Sequence, residues 1–202
     1  MLVKICGLNP LKDVQICLDY KVNFLGFVFY KNSPRNLDFK ELDILKSYNK
    51  GNSSFVAVTV DPSDEFIDQI KNKNFDYIQL HGSESFDRIE AIKKRSNLKI
   101  IKVIKVNSKA DVNKYQKYKN ADIFLFDTPG MEKSIEFPRE LIKELPKGNK
   151  FALAGGVSID TVKYLAKLGV KFFDLSSSLE SDLGYKDHKK IKDFMEKLND
   201  QN

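Results

Sequence analysis

Eight short apolar runs, each followed by an amphipathic stretch, divide this chain from end to end. The runs are Val3–Cys6, Leu25–Phe29, Phe55–Val60, Tyr77–Leu80, Ile100–Ile104, Ile123–Phe126, Phe151–Ala154 and Phe172–Leu175. Most are apolar almost throughout rather than alternating, the pattern of strands buried on both faces in a parallel sheet covered by helices. Between them, apolar residues recur three and four apart: Val14, Cys17 and Leu18; Leu42 and Leu45; Phe66, Ile67 and Ile70; Phe86, Ile89 and Ile92; Leu141, Ile142 and Leu145; Val162, Leu165 and Ala166; Ile191, Phe194 and Leu198. That spacing predicts helices with one buried face. Asn9 and Ser83 are the expected caps of the first and fourth helices, with Pro10 at a first helical position. Eight β–α units of roughly 25 residues predict an α/β fold, a closed (β/α)8 TIM barrel forming one domain over residues 1–202. The competing doubly wound sheet would carry a GxGxxG in its first turn, and no such motif occurs.

A barrel of this kind builds its active site from the loops that follow the strands. The polar residues at those exits are Cys6, Arg35 a little beyond the second strand, Asp61, His81, Asp127, Gly155-Gly156 and Ser176-Ser177-Ser178. Side chains alternate along a strand, so an inward Cys6 brings Lys4 inward one layer below it. The same parity groups Gln79 with His81 and Leu125 with Asp127. Two readings of Lys4 stay open. It lowers the pKa of Cys6, since a nearby cation favours a thiolate, or it pairs with a buried carboxylate. Cys6 itself is either a reactive group or a small buried hydrophobe, whereas the helical spacing of Cys17 marks it as core. Glycines after the seventh strand and serines after the eighth stand where barrels often bind phosphate through backbone N–H groups. Cys6 and Asp127 supply a base and an acid able to shift a proton between two substrate atoms.

Composition narrows the partners. A hydrophobic content of 42% and a charged content of 31% are those of an ordinary soluble protein. No run reaches the roughly 18 residues of a membrane span, and the N-terminus lacks the pattern of a signal peptide. A cytoplasmic protein is expected, without a disulfide between Cys6 and Cys17. The cysteines form no CxxC pair and His81 and His188 lie far apart, so no metal site is expected. The net charge of +6 is mostly lysine, with arginine only at positions 35, 88, 95 and 139. Those lysines alternate with acidic residues on helix faces, without the basic stripe and stacking aromatics of a nucleic-acid surface. The expected partner is an anionic small molecule, with no nucleic acid, membrane or obligate protein partner.

At this point a resemblance emerges. Lys4-Ile5-Cys6-Gly7-Leu8, Gly26-Phe27-Val28-Phe29 with Ser33-Pro34-Arg35, Gln79-Leu80-His81-Gly82, Phe126-Asp127-Thr128, Leu153-Ala154-Gly155-Gly156, Asp174-Leu175-Ser176-Ser177, and Gly184 with Lys186-Asp187 together resemble phosphoribosylanthranilate isomerase, the cofactor-independent barrel enzyme of tryptophan biosynthesis. The resemblance implies an Amadori rearrangement of N-(5-phosphoribosyl)anthranilate to 1-(2-carboxyphenylamino)-1-deoxyribulose 5-phosphate. By analogy Asp127 is the general acid and must carry a proton when substrate binds. Cys6, as a thiolate, is the general base. Arg35 holds the anthranilate carboxylate, and His81, Gly155, Gly156, Ser176 and Ser177 bind the substrate, its phosphate resting on Gly156 and the two serines. Lys4 supports Cys6.

Two departures accompany the resemblance. The family usually has a glycine-rich loop after the sixth strand ending in Phe-Asp-Trp, whereas this chain has Pro129-Gly130-Met131-Glu132-Lys133-Ser134-Ile135-Glu136-Phe137-Pro138. Ser178 stands where the family commonly has glycine. A related histidine-pathway sugar isomerase would need paired aspartates on strands 1 and 5, but here the first position is Cys6 and the fifth strand has no carboxylate. A non-catalytic barrel that binds a phosphorylated ligand is the other alternative, set against by the retained acid and base.

Overall fold

A computed structural model describes residues 1–129 and 136–199. Eight parallel strands close on themselves in sequence order: β1 (Leu2–Cys6), β2 (Phe24–Phe29), β3 (Ser54–Thr59), β4 (Tyr77–Leu80), β5 (Lys99–Lys105), β6 (Ile123–Asp127), β7 (Phe151–Leu153) and β8 (Phe172–Leu175). The seam is the β1–β8 pairing, in which Lys4 stands opposite Asp174. Around the outside run α1 (Val14–Asp19), α2 (Asp64–Ile70), α3 (Phe86–Ser96), α4 (Lys109–Val112), α5 (Val162–Lys167) and α6 (His188–Asn199). After β8 a short antiparallel hairpin, β9 (Glu180–Asp182) and β10 (Tyr185–Lys186), precedes α6. No helix of the described residues is long and apolar enough to cross a membrane.

The expected strands agree with these to within a residue or so at each end, while the helical layer is thinner than the periodicity implies. After β2 the chain makes two 3₁₀ turns, Phe39–Glu41 and Asp43–Ser47, instead of an α-helix. The buried Leu42 and Leu45 are three apart, a spacing that a three-residue turn stacks on one side. After β6 the segment Arg139–Glu144 is also 3₁₀. Pro138 and Pro146 bracket it, and the residue before a proline is pushed out of helical geometry, so Leu145 is extended. After β5 the short α4 passes directly into a 3₁₀ turn, Asn113–Lys117. Asn9 does accept from the amides of Leu11 and Lys12, but regular helix begins only at Val14. Ser85, not Ser83, caps α3 by accepting from the Arg88 amide.

Strand parity separates two cores. Outward residues such as Val3, Ile5, Phe27 and Phe55 pack under the helices. Inward residues fill the barrel, among them Phe24, Val56, Ile101, Leu125 and Phe172. The ring of Phe24 stacks on Phe172 at 4.9 Å and meets Tyr77 edge-on at 5.3 Å. Each of the three begins its strand, so they plug the N-terminal mouth, and aromatic contacts of this kind add about 0.5–1.5 kcal/mol apiece beyond burial. Inside the opposite mouth the interior becomes polar. Phe172→Ala should therefore lower the stability read by urea unfolding by about 3–5 kcal/mol; a loss under about 1 kcal/mol would show that this plug does not hold the barrel closed.

Candidate active site

Cys6 ends β1 at the C-terminal mouth, with Lys4 beneath it. Lys4 is buried, and its Nζ lies 3.0 Å from each carboxylate oxygen of Asp174 on β8. The pairing with a buried carboxylate is the reading of Lys4 that the geometry bears out, and the same ammonium also lies close enough to act on Cys6. Burial works against the ammonium form, but Asp174 and then Cys6 outweigh it and hold Lys4 above its ordinary pKa. Cys6 departs from expectation. Burial pushes its thiol above the ordinary value; Lys4 pulls it back, Asp174 pushes it up again, and Lys186 pulls it back more weakly. The cation beneath Cys6 offsets desolvation without overcoming it, because Lys4 arrives with its own counter-ion.

Asp127 ends β6. Its Oδ1 accepts from the Thr128 amide at 2.8 Å, and its Oδ2 lies 3.3 Å from Nε2 of His81 at the exit of β4. Arg35 reaches the mouth from the loop after β2, passing over Gly7. Gly7 has φ +78°, and a Cβ there would run into the Arg35 side chain, so only glycine serves at that crossing. Arg35 forms a two-pronged pair with Glu180 of β9, Nε to Oε1 at 2.6 Å and Nη2 to Oε2 at 2.8 Å. Lys186 of β10 adds a third bond to Glu180 Oε1 at 2.6 Å. Burial raises the Glu180 pKa, but the bonds from Arg35 and Lys186 pull it down to about 2. Asp61, also at a strand exit, plays a different part: its carboxylate accepts from the Ser83 amide at 2.9 Å and braces the loop after β4. That contact is what Ser83 makes in place of a cap.

Gly155 and Gly156 follow β7 with φ of +82° and +72°. A Cβ on Gly156 would press on Glu136, where the loop after β6 returns. The part of that loop most unlike the family pattern, residues 130–135, lies outside the described residues. Ser176 follows β8 and donates its hydroxyl to the Cys6 carbonyl at 3.2 Å. Ser177 opens the 3₁₀ turn Ser177–Leu179.

One cavity of about 600 Å³ gathers Cys6, Arg35, His81, Asp127, Gly155, Gly156 and Ser176–Ser178, a volume in the range of small-molecule sites. Lys4 sits below it and is not among its lining. Among the described residues, Gln79 Oε1, His81 Nδ1 and Ser178 Oγ are buried without a hydrogen-bond partner, and all three residues line this cavity. Folded proteins rarely leave such atoms unpaired, so their convergence marks a place for a polar ligand.

The family model described as N-(5'phosphoribosyl)anthranilate (PRA) isomerase matches residues 3–197. The chain belongs to this family. The isomerase of Brucella canis is 33% identical over 210 residues, covering 99% of this chain and 95% of that protein. Among solved structures, the isomerase of Thermus thermophilus superposes with a TM-score of 0.88 at 24% identity over the whole of both chains, a likeness of fold. An isomerase in complex with reduced 1-(o-carboxyphenylamino)-1-deoxyribulose 5-phosphate superposes with a TM-score of 0.83 at 25% identity over 99% of each chain.

Within the isomerase frame, the sequence reading missed Asp174, Glu180 and Lys186 as site residues. Asp174 had a signal: it is the one charged residue in the apolar run Phe172–Leu175, and parity from Ser176 turns it inward. Glu180 and Lys186 had none in spacing, because the β9–β10 hairpin that brings them back lies beyond the eight-unit pattern. Replacing Lys4 with Met removes the strongest influence holding the Cys6 thiol down. Iodoacetamide labelling of Cys6, resolved by mass spectrometry at about pH 8, should then slow about tenfold or more. Unchanged or faster labelling would show that Lys4 does not tune the thiol.

Proposed function

We propose that this chain is an N-(5'-phosphoribosyl)anthranilate isomerase that works by general acid–base catalysis, the isomerase step of tryptophan biosynthesis. The observation that carries this reading is the meeting, in one cavity, of Asp127 from β6, Cys6 from β1, Arg35, and the glycine and serine segments after β7 and β8. In the proposed reaction, Asp127 gives its proton to the furanose ring oxygen. The bond from that oxygen to C1 breaks while the nitrogen lone pair forms a C1=N Schiff base. Cys6, as thiolate, takes the proton from C2, and its electrons move to make the C1=C2 enolamine. Tautomerisation puts one proton on C1 and takes one from the C2 hydroxyl, giving the ketone. Asp127 loses a proton to the ring oxygen and regains one from the C2 hydroxyl, while Cys6 gains the C2 proton and releases one to C1, so both groups end the cycle as they began.

The remaining roles follow from charge and shape. Arg35 offers a planar fork suited to the anthranilate carboxylate; with Nε and one Nη2 hydrogen on Glu180, its Nη1 hydrogens remain for the ligand. The phosphate rests on backbone N–H groups at Gly155, Gly156, Ser176 and Ser177, and His81 contacts the sugar beside Asp127. Because burial holds the free thiol up, the thiolate form of Cys6 gains population as the pH rises, with Lys4 and Lys186 as the nearby cations that favour it. In this reading every role belongs to a side chain or amide of one chain, so no metal, cofactor or protein partner is required, and the enzyme acts in the cytoplasm.

Each positioned acid or base contributes about 10²–10⁴-fold. Cys6→Ala and Asp127→Ala should each cut kcat by about that factor with unfolding midpoints little changed, and neither variant should rescue a tryptophan auxotroph lacking this isomerase, which the parent chain should rescue. A Cys6→Ala variant with parental kcat would refute the mechanism. A soluble, folded parent that fails both the rescue and the direct assay would favour a binding protein instead.

A further inference from the structure

Behind Arg35 lies an ion cluster that the acid–base steps do not use. Glu180 accepts from Arg35 Nε at 2.6 Å and Nη2 at 2.8 Å. Its Oε1 also accepts from Lys186 Nζ at 2.6 Å, and the Lys186 side chain is fully buried. Glu180 is itself held from several sides. The Gly184 amide reaches its Oε2 at 3.3 Å, and Lys190 Nζ reaches its carbonyl at 2.6 Å. Lys186 continues to the Ser176 carbonyl at 3.2 Å, and Ser176 is bonded to the Cys6 carbonyl.

Two features separate this cluster from an ordinary surface salt bridge. Arg35 lines the cavity while the edge of its guanidinium carrying Nε is occupied. The fork is thus fixed from behind, so its other edge is not free to swing with the long side chain. The charges also do not cancel. One carboxylate between two cations leaves a net charge of +1, whereas an isolated Arg35–Glu180 pair would be neutral and would attract an anion weakly.

We propose that Glu180 is the positioning residue for the carboxylate end of the substrate: it fixes the Arg35 fork, and Lys186 supplies the charge that leaves Arg35 net positive toward the cavity. This rests on the reading of Arg35 as the anthranilate clamp. Selectivity for an aromatic acid over an uncharged aromatic amine then depends on the hairpin after β8 as well as on Arg35.

Calorimetry with two probes tests it: reduced 1-(o-carboxyphenylamino)-1-deoxyribulose 5-phosphate, and the same compound without its carboxyl group. Glu180→Gln and Lys186→Met should each weaken the carboxylated probe about tenfold or more, and the uncarboxylated probe by less than about threefold. In an Arg35→Ala background, Glu180→Gln should add nothing to the loss. The uncarboxylated probe serves as the folding control, and Lys186→Met decides the matter if Glu180→Gln does not fold. Equal weakening of both probes by Glu180→Gln or by Lys186→Met would overturn the proposal. So would no effect of either variant on the carboxylated probe while Arg35→Ala selectively loses it; the clamp would then survive without its positioning residue. If Arg35→Ala weakens both probes alike, the clamp itself fails and the proposal falls with it.

Discussion

The buried pair of Lys4 and Asp174 is the constraint on which the rest of this structure turns. It spans the seam where β1 meets β8, with the two residues in register across the closing strand pair. Below it the barrel is filled with aromatic and aliphatic side chains; above it the cavity opens. An ammonium group placed at that depth would be prohibitive without a partner, and removing one member of such a pair costs about 3–5 kcal/mol. The pair therefore ties closure of the barrel to the electrostatics of its mouth. Whatever alters Lys4 alters both the seam and the thiol directly above it.

That coupling explains why a lysine beneath a cysteine does not make a free thiolate here. Asp174 holds Lys4 charged but also repels negative charge on Cys6. Lys186, on the other side, helps the thiolate. Two ion clusters, Lys4 with Asp174 and Arg35 with Glu180 and Lys186, thus flank Cys6 with a surplus of one positive charge. The surplus offsets only part of the cost of burying charge on the sulfur, and it has the right sign for a substrate that carries a phosphate and a carboxylate.

Much of this was legible in the residues because strand period and burial leave few choices. The continuous apolar runs located all eight strands, and parity correctly turned Lys4, Gln79 and Leu125 into the barrel. The helical layer was less legible. Leu42 and Leu45 satisfy a helix and a 3₁₀ turn equally well, and Pro146 acts on a segment whose periodicity alone looks helical. Ser83 and Ser85 are both plausible caps, and only the position of Asp61 in space decides between them. At the site, Cys6, His81 and Asp127 could be read because strand exits are predictable from topology. Asp61 shared that position yet faces away, since a left-handed turn (φ +43°) carries it out to Ser83. Glu180 and Lys186 depend on a hairpin that folds back over the mouth, a tertiary contact without a periodic trace.

The most direct measurement is a crystal structure of this chain with reduced 1-(o-carboxyphenylamino)-1-deoxyribulose 5-phosphate. It should place the phosphate on the amides of Gly156 and Ser177, the carboxylate on the free edge of Arg35, Cys6 Sγ facing C2 of the sugar, and Asp127 on the side of the former ring oxygen. A phosphate bound elsewhere, or a sugar with Cys6 and Asp127 not flanking its C1–C2 bond, would contradict the account.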